Sequence, residues 1–299
     1  MLIALLLPIG LATIGFAFIL FRAAIARGAS PNAEGVVLGA ITNFFDTLGI
    51  GSFAPTTAWF KFRKLVPDRL IPQTMLVGHG LPTLAEALIF LVLLGVSVDP
   101  ILLVGCIISI LMGGLLGAPL VTRTRVWIIQ FIVGVALILA AMAYAASNLH
   151  MMPGGGTASS LPLTLTVVAI VANFIFGILL NYGVGNYAPT LAMLSLMGMD
   201  PRLCFPIMAG GAAVVVAGAG ARHIRIGQIN LKIALGMALG GVPAVLVAAF
   251  IVKTMPVEML RWLVLVVVLY AAVVMIRAAL LGRKEETNGL TAAPVVGAG

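Results

Sequence analysis

Charge is what this sequence has least of. Asp, Glu, Lys and Arg make up 9% of its 299 residues, whereas 62% are hydrophobic, and mean hydropathy is +1.21. No soluble core needs so much apolar surface, so the chain reads as an integral membrane protein forming one compact domain. No Lys or Arg falls in the middle of an apolar run. The net charge of +8 comes from basic residues standing singly or in small clusters where such runs end. That is how a membrane protein marks its cytoplasmic side, and it argues against a nucleic-acid partner. Cysteine is scarce too: Cys106 and Cys204 lack metal-ligand spacing and read as small core residues, so no metal site and no cofactor is expected. The opening MLIALLLPIGLATIGFAFILFRAAIAR has no basic residue before its apolar run; Arg22 and Arg27 follow it. It reads as a first transmembrane helix with its N-terminus outside, not as a cleaved signal. The stretch 147–163 lacks Lys, Arg, Asp and Glu and is rich in Gly, Ser and Pro, as a linker between two halves is.

What is present is a repeated decapeptide. GIGSFAPTTA at 49–58 and GVGNYAPTLA at 183–192 lie 134 positions apart and share six residues. Each is followed by a polar turn (Pro67-Asp68-Arg69, Asp200-Pro201-Arg202), an apolar helix, a helix with a Gly pair (Gly113-Gly114, Gly240-Gly241) and a segment bearing Trp127 or Trp262 beside an Arg. A whole multi-helix unit is duplicated. Spanning candidates are 2–22, 72–95, 99–120, 126–146, 203–221, 229–252 and 259–281, and the motifs interrupt two further apolar stretches.

Basic residues decide how those two stretches sit. If both cross the membrane, the 17 Lys and Arg divide 8 to 9; if only the first is re-entrant, 11 to 6. If both are re-entrant hairpins, one face holds 14, and only Arg202, Lys253 and Arg261 lie on the other. The expected fold is therefore all-α: a polytopic bundle with an inverted repeat, about seven spans and two re-entrant hairpins, the 14-charge face cytoplasmic. The expected organisation is a first half over 1–146 (hairpin 35–62), an extracytoplasmic linker over 147–163, a second half over 164–282 (hairpin 163–197) and a disordered cytoplasmic tail over 283–299. A hairpin arm of about 14 residues is roughly 20 Å long as helix and brings its tip near the bilayer midplane.

The motif suits such a tip. Gly49 and Gly51, like Gly183 and Gly185, permit a sharp turn; Ser52 and Asn186 are good N-cap types; Pro55 and Pro189 fit the first turn of the second arm. Two helix N-termini converging from opposite faces make an anion site without a buried cation. The expected substrate contacts are Gly49, Gly51, Ser52, Phe53, Ala54 and Thr56 in one copy, and Asn181, Gly183, Gly185, Asn186, Tyr187, Ala188 and Thr190 in the other. The bland alternative is glycines used for helix packing. Three ionisable residues at membrane depth are candidates for ion coupling. Asp46 stands three residues before Gly49, with Leu180 as its repeat counterpart; it accepts a proton, binds a cation alongside the substrate, caps local backbone groups or meets a polar partner. His79 and Glu86, seven apart on one helix face, read as a proton relay or as buried residues bonded to neighbouring helices.

The 49–58 and 183–192 motifs, GGLLGAPLVTRTRVW at 113–127 and LRWLVLVVVLYAAVVMIRA at 260–278 resemble the TauE/SafE family of bacterial sulfite exporters and related anion permeases, also called toluene-sulfonate uptake permeases. The resemblance spans most of 35–281. Many members carry three glycines in the first motif, where this chain has LGIGSFAP. The resemblance implies transport of a small sulfur-containing or organic anion across the bacterial cytoplasmic membrane, coupled to an ion gradient of protons or sodium.

The residues and the resemblance together point to a secondary transporter of a small anion, with lipid as its surroundings and a homo-oligomer left open. The rivals are a passive channel for a small anion or neutral solute, an intramembrane serine protease and a structural membrane protein. The protease needs a paired Ser and His, and GIGSF does not flank Ser52 with glycines; the structural protein gives no reason for a duplicated tip. An enzyme is not expected.

Overall fold

A computed structural model describes residues 2–121, 125–149, 151, 156–180 and 185–287. The described residues form eleven α-helices and no strand beyond one isolated bridge, Ala158 with Met199. In chain order these are α1 (Leu2–Ala26), α2 (Ala33–Thr47), α3 (Phe53–Arg63), α4 (Ile71–Leu93), α5 (Pro100–Val121), α6 (Val126–Asn148), α7 (Leu163–Leu180), α8 (Tyr187–Leu196), α9 (Phe205–Ile226), α10 (Leu231–Thr254) and α11 (Val257–Thr287). Eight are long and apolar enough to cross a membrane, one more than the seven expected from sequence. The additional one is α7, expected only as a short hairpin arm. Its apolar run has no polar break before Leu180, so it reaches 18 residues, about 27 Å of helix. By contrast α2, α3 and α8, at 15, 11 and 10 residues, are too short to span alone.

The helices pack in related couples. α2 runs parallel to α10, Gly39 lying over Met237 and Gly240 over Val36; α7 runs parallel to α5, Gly113 lying over Phe174 and Gly177 over Ile110. At each of these glycines an added Cβ would fall 2.0–2.4 Å from the facing backbone. Lipid tails are as apolar as Leu, so close backbone approach and van der Waals contact supply the packing energy in place of a hydrophobic driving force. Corresponding helices of the two halves meet antiparallel. In α4 and α9, Phe90 stacks on Phe205 at 5.0 Å, while Leu76 lies beside Gly220. In α6 and α11, Gly134 faces Ile276 and Trp127 faces Gly282. α1 has no counterpart: its Phe16 wedges into notches left by Gly80 of α4 and Gly220 of α9.

One end of the bundle gathers the end of α1, the start of α4 and the start of α10: Arg27 Nη2 donates to Ile224 O at 3.1 Å, Asn32 N to Lys232 O at 3.1 Å, and Asn230 N to Thr74 Oγ1 at 3.1 Å. The other end carries Asp99 N donating to Ser159 O and Asp200 N donating to Ala158 O, both at 3.0 Å. The two ends of the α2–α3 segment meet at the first: Arg63 Nε donates to Glu34 Oε1 at 2.8 Å and Trp59 Nε1 to the same oxygen at 3.0 Å. Arg63 also holds the Glu34 carboxyl below the usual range. The ends flanking α7 and α8 meet at the second, through the Ala158–Met199 bridge.

One expectation about a connecting segment needs correction. The tail does not leave the fold at 283: α11 continues to Thr287, because Glu286 pairs with Arg125 at 3.1 Å and accepts from Trp127 Nε1, while the Arg283 guanidinium lies 5.7 Å from the Trp127 ring centre. The described part of the linker is also docked, with Gly156 packed so closely on Gly198 that no side chain fits between them.

Candidate functional site

The first motif closes α2 and opens α3. Gly49 and Gly51 have φ of +95° and +89°, left-handed conformations that cost any residue with a Cβ roughly 1–2 kcal/mol. The chain thus turns within four residues, and the first i−4 bond of the new helix is Thr56 N to Ser52 O at 3.1 Å. The amides of Phe53 and Ala54 precede it. Pro55 sits in the first turn, as the sequence suggests.

Neither expected cap is one. Ser52 and Asn186 precede α3 and α8 in helical conformation without side-chain cap bonds. Each has a longer-range partner: Ser52 Oγ donates to Asp46 Oδ2 at 2.9 Å, and Asn186 Nδ2 to Met208 O on α9 at 3.1 Å.

His79 on α4 receives the first motif. Its Nε2 lies 3.0 Å from Thr56 Oγ1, its Nδ1 lies 2.9 Å from Asn43 Oδ1, and Phe53 packs at 5.4 Å from its ring. Asn43 donates Nδ2 to Gly39 O at 2.7 Å, which leaves its oxygen toward the histidine. The network therefore assigns the proton of a neutral ring to Nδ1 and lets Nε2 accept from Thr56. Glu86 receives the second motif, two turns further along α4: the Tyr187 hydroxyl donates to Glu86 Oε1 at 3.0 Å, across 101 positions of sequence. Asp46 lies within electrostatic range of both Glu86 and Tyr187, and Thr47 borders the Glu86 carboxyl. Asp46 and Glu86 are 9% and 1% exposed, and His79 is fully buried. His79 and Glu86 do not bond to each other: His79 engages Thr56 and Asn43, and Glu86 accepts from Tyr187.

The second copy has its own latch. Thr190 Oγ1 donates to Asn173 Oδ1 on α7 at 3.0 Å, and Asn173 Nδ2 donates to Ala169 O at 2.8 Å. Thr56 and Thr190 are equivalent in the repeat; one reaches an amide of its first arm through His79, the other directly. Sequence reasoning missed both amides. The signal was available, since Asn43 and Asn173 are lone amides inside apolar helices, each four residues from a glycine (Gly39, Gly177) and in reversed order. Of the other expected contacts, Ala188 is buried and Gly185 has open space where a side chain would go. Asn181 and Gly183 lie outside the described residues.

Residues 165–299 match the family model described as Sulfite exporter TauE/SafE. That is the family which the two motifs resemble, and the match covers the half holding the second copy. No curated relative and no solved structure matches the chain. The TauE/SafE match suggests a membrane transporter of a sulfite- or sulfonate-type anion, and eight candidate spans make the protein multi-pass. Among the described residues no group of His, Cys, Asp and Glu is arranged to hold a metal.

Proposed function

We propose that the protein is a secondary transporter of a small sulfur-containing or organic anion, held between the two motif tips. The observation that carries this reading is the convergence of both copies on one helix, Thr56 on His79 and Tyr187 on Glu86. The anion is bound by the first-turn amides of α3 and α8 and by the second N–H of the Asn186 side chain, while Ser52, Thr56 and Thr190 give their hydroxyl protons to Asp46, His79 and Asn173 and hold the tips in place. Helix N-termini favour negative charge, and binding through them needs no cation at membrane depth. The two segments are re-entrant, a reading supported by the meeting of their ends at Glu34–Arg63 and at Ala158–Met199. The antiparallel meeting of α4 with α9 and of α6 with α11 supports an inverted duplication, whose halves move against each other to give alternating access. The face bearing most of the Lys and Arg is cytoplasmic, so the N-terminus lies outside and the C-terminus inside, in a bacterial cytoplasmic membrane.

The test is thermal stabilisation of the purified protein by sulfite, sulfate, thiosulfate, sulfonates and short carboxylates, since a ligand of the folded state raises its apparent melting point. One anion class should do so. Gly185→Leu should remove that shift while the protein stays folded, because a Cβ at Gly185 meets nothing within 4 Å and the added side chain fills the space before α8. Stabilisation by cations or neutral solutes alone, or an unchanged shift in Gly185→Leu, overturns the two-tip site. Uphill accumulation in proteoliposomes then separates a transporter from a passive channel.

A further inference from the structure

Among the described residues, two carboxyl groups border the anion site proposed above, and the bonds of each go to a neutral hydroxyl. Asp46 ends α2 with its Oδ2 on Ser52, and Glu86 sits mid-way along α4 with its Oε1 on Tyr187. These anchors are the residues that open α3 and α8. α2, α4 and α8 contain no Lys or Arg. The basic residues of α3 and α10 lie in their end turns, Arg22 and Arg222 stand four residues before the ends of α1 and α9, and α11, which packs on α8, carries Arg261 four residues after its start and Arg277, Arg283 and Lys284 toward its end. The titratable neighbours are His79, engaged by Thr56 and Asn43, and Tyr187, which donates to Glu86. An anion drawn to the tip amides therefore arrives beside two acids whose bonds go to neutral hydroxyls.

We infer that the anion travels together with a proton carried by the Asp46–Glu86 pair. This rests on the reading that the anion sits between the tips. With both groups ionised, the site repels the ligand that its helix ends attract. A proton on the pair removes that conflict, so proton and anion each raise the affinity for the other by the same factor. The surroundings accommodate the protonated form. Thr47 gives its one hydroxyl proton to Asn43 O at 2.8 Å, so toward the adjacent Glu86 it presents a lone pair able to accept the carboxylic O–H. The proton comes from water on the side where the anion binds, forms an O–H bond on a carboxylate oxygen of the pair, and returns to water on the far side as the anion leaves. Anion and proton thus move in one direction, and an inward proton gradient drives uptake.

The experiment is calorimetric binding of thiosulfate and methanesulfonate to the purified protein across pH values around neutrality. Sulfite is unsuitable because it titrates in that range itself. One proton per anion makes the affinity fall by up to about tenfold per pH unit as pH rises past the titration of the pair, and stay constant below it. E86Q, permanently neutral, should bind with a flattened profile, and D46N gives the same reading should E86Q not fold. In proteoliposomes an inward proton gradient should accumulate thiosulfate, with alkalinisation outside. Wild-type affinity that is independent of pH, or that rises with pH, overturns the proton inference and leaves the anion site standing, as does uphill anion flux against the proton gradient. Binding of neither probe at any pH, with no stabilisation by the wider panel, removes the anion site and the inference with it.

Discussion

The two second arms, α3 and α8, grow from nearly the same ten residues and are held in opposite ways. In α8 eight of ten residues are buried, against α6, α7, α9 and α11; in α3 only Thr56 and Phe60 of eleven are, and the helix leans mainly on α2 and α4. Phe53, Trp59 and Phe62 of α3 are exposed, toward what the membrane reading makes lipid. Because lipid is as apolar as a protein interior, that exposure costs little, and the difference lies in contacts made. α8 is seated by packing over most of its surface. α3 is tethered at a few polar points: Ser52 on Asp46, Thr56 on His79, Arg63 and Trp59 on Glu34. A duplicated motif is thus followed by one helix seated by packing and one held mainly by a few hydrogen bonds.

The largest effects should come where the halves remain alike. Gly240 in the α2–α10 crossing and Gly113 in the α5–α7 crossing would each place a Cβ 2.0 Å from a facing carbonyl oxygen, Val36 O and Phe174 O. Gly240→Val and Gly113→Val should each cost about 3 kcal/mol or more, since neither backbone can retreat without separating its pair. The readout is the monodisperse fraction in detergent together with the melting point. Loss in one variant only would mean that the two crossings do not carry the scaffold equally.

The next comparison sits within the motif. Gly51 has a φ of +89°, and a Cβ added at Gly51 or at Gly185 meets nothing within 4 Å. Gly51→Ala should therefore destabilise by about 1–2 kcal/mol through backbone strain alone. Gly185→Ala should change stability by less than about 0.5 kcal/mol. Equal effects in a chemical-denaturation series would show that the two tips share a backbone conformation after all.

Much of this was legible in sequence, in a graded way. Apolar runs give the helices because each must satisfy its backbone internally in lipid, and the spaced decapeptides give the duplication. Asp46, His79 and Glu86 stand out as ionisable groups in apolar surroundings, and all three are found at the motifs. What could not be read is which partner each side chain takes when the partner is distant. Ser52 and Asn186 have the chemistry of caps, yet Asp46 and Met208 O outcompete the local amides. Tyr187 meets Glu86 across 101 positions, and α11 runs past Arg283 because Glu286 finds Trp127 across 159. The length of α7 was hidden for the opposite reason: Thr164, Thr166 and Asn173 do not break its apolar run, which carries no sign of where it stops.

The smallest effect should be the most local. The Glu34–Arg63–Trp59 clasp lies at the exposed base of the first hairpin, where an ion pair is screened by water and salt. Arg63→Ala should leave the melting point unchanged within error, because α3 keeps its tip bonds and its packing on α4. It should nevertheless speed hydrogen exchange of the last turn of α3, whose anchor to α2 is gone, while exchange in α8 stays as before. High salt applied to the wild type should reproduce part of that change by screening the same pair. Faster exchange reaching the α3 tip at Thr56 would show the helix pivoting as a unit about its base. Faster exchange in α8 as well would mean that the two tips move together, and that the contrast in their burial does not separate a fixed arm from a moving one.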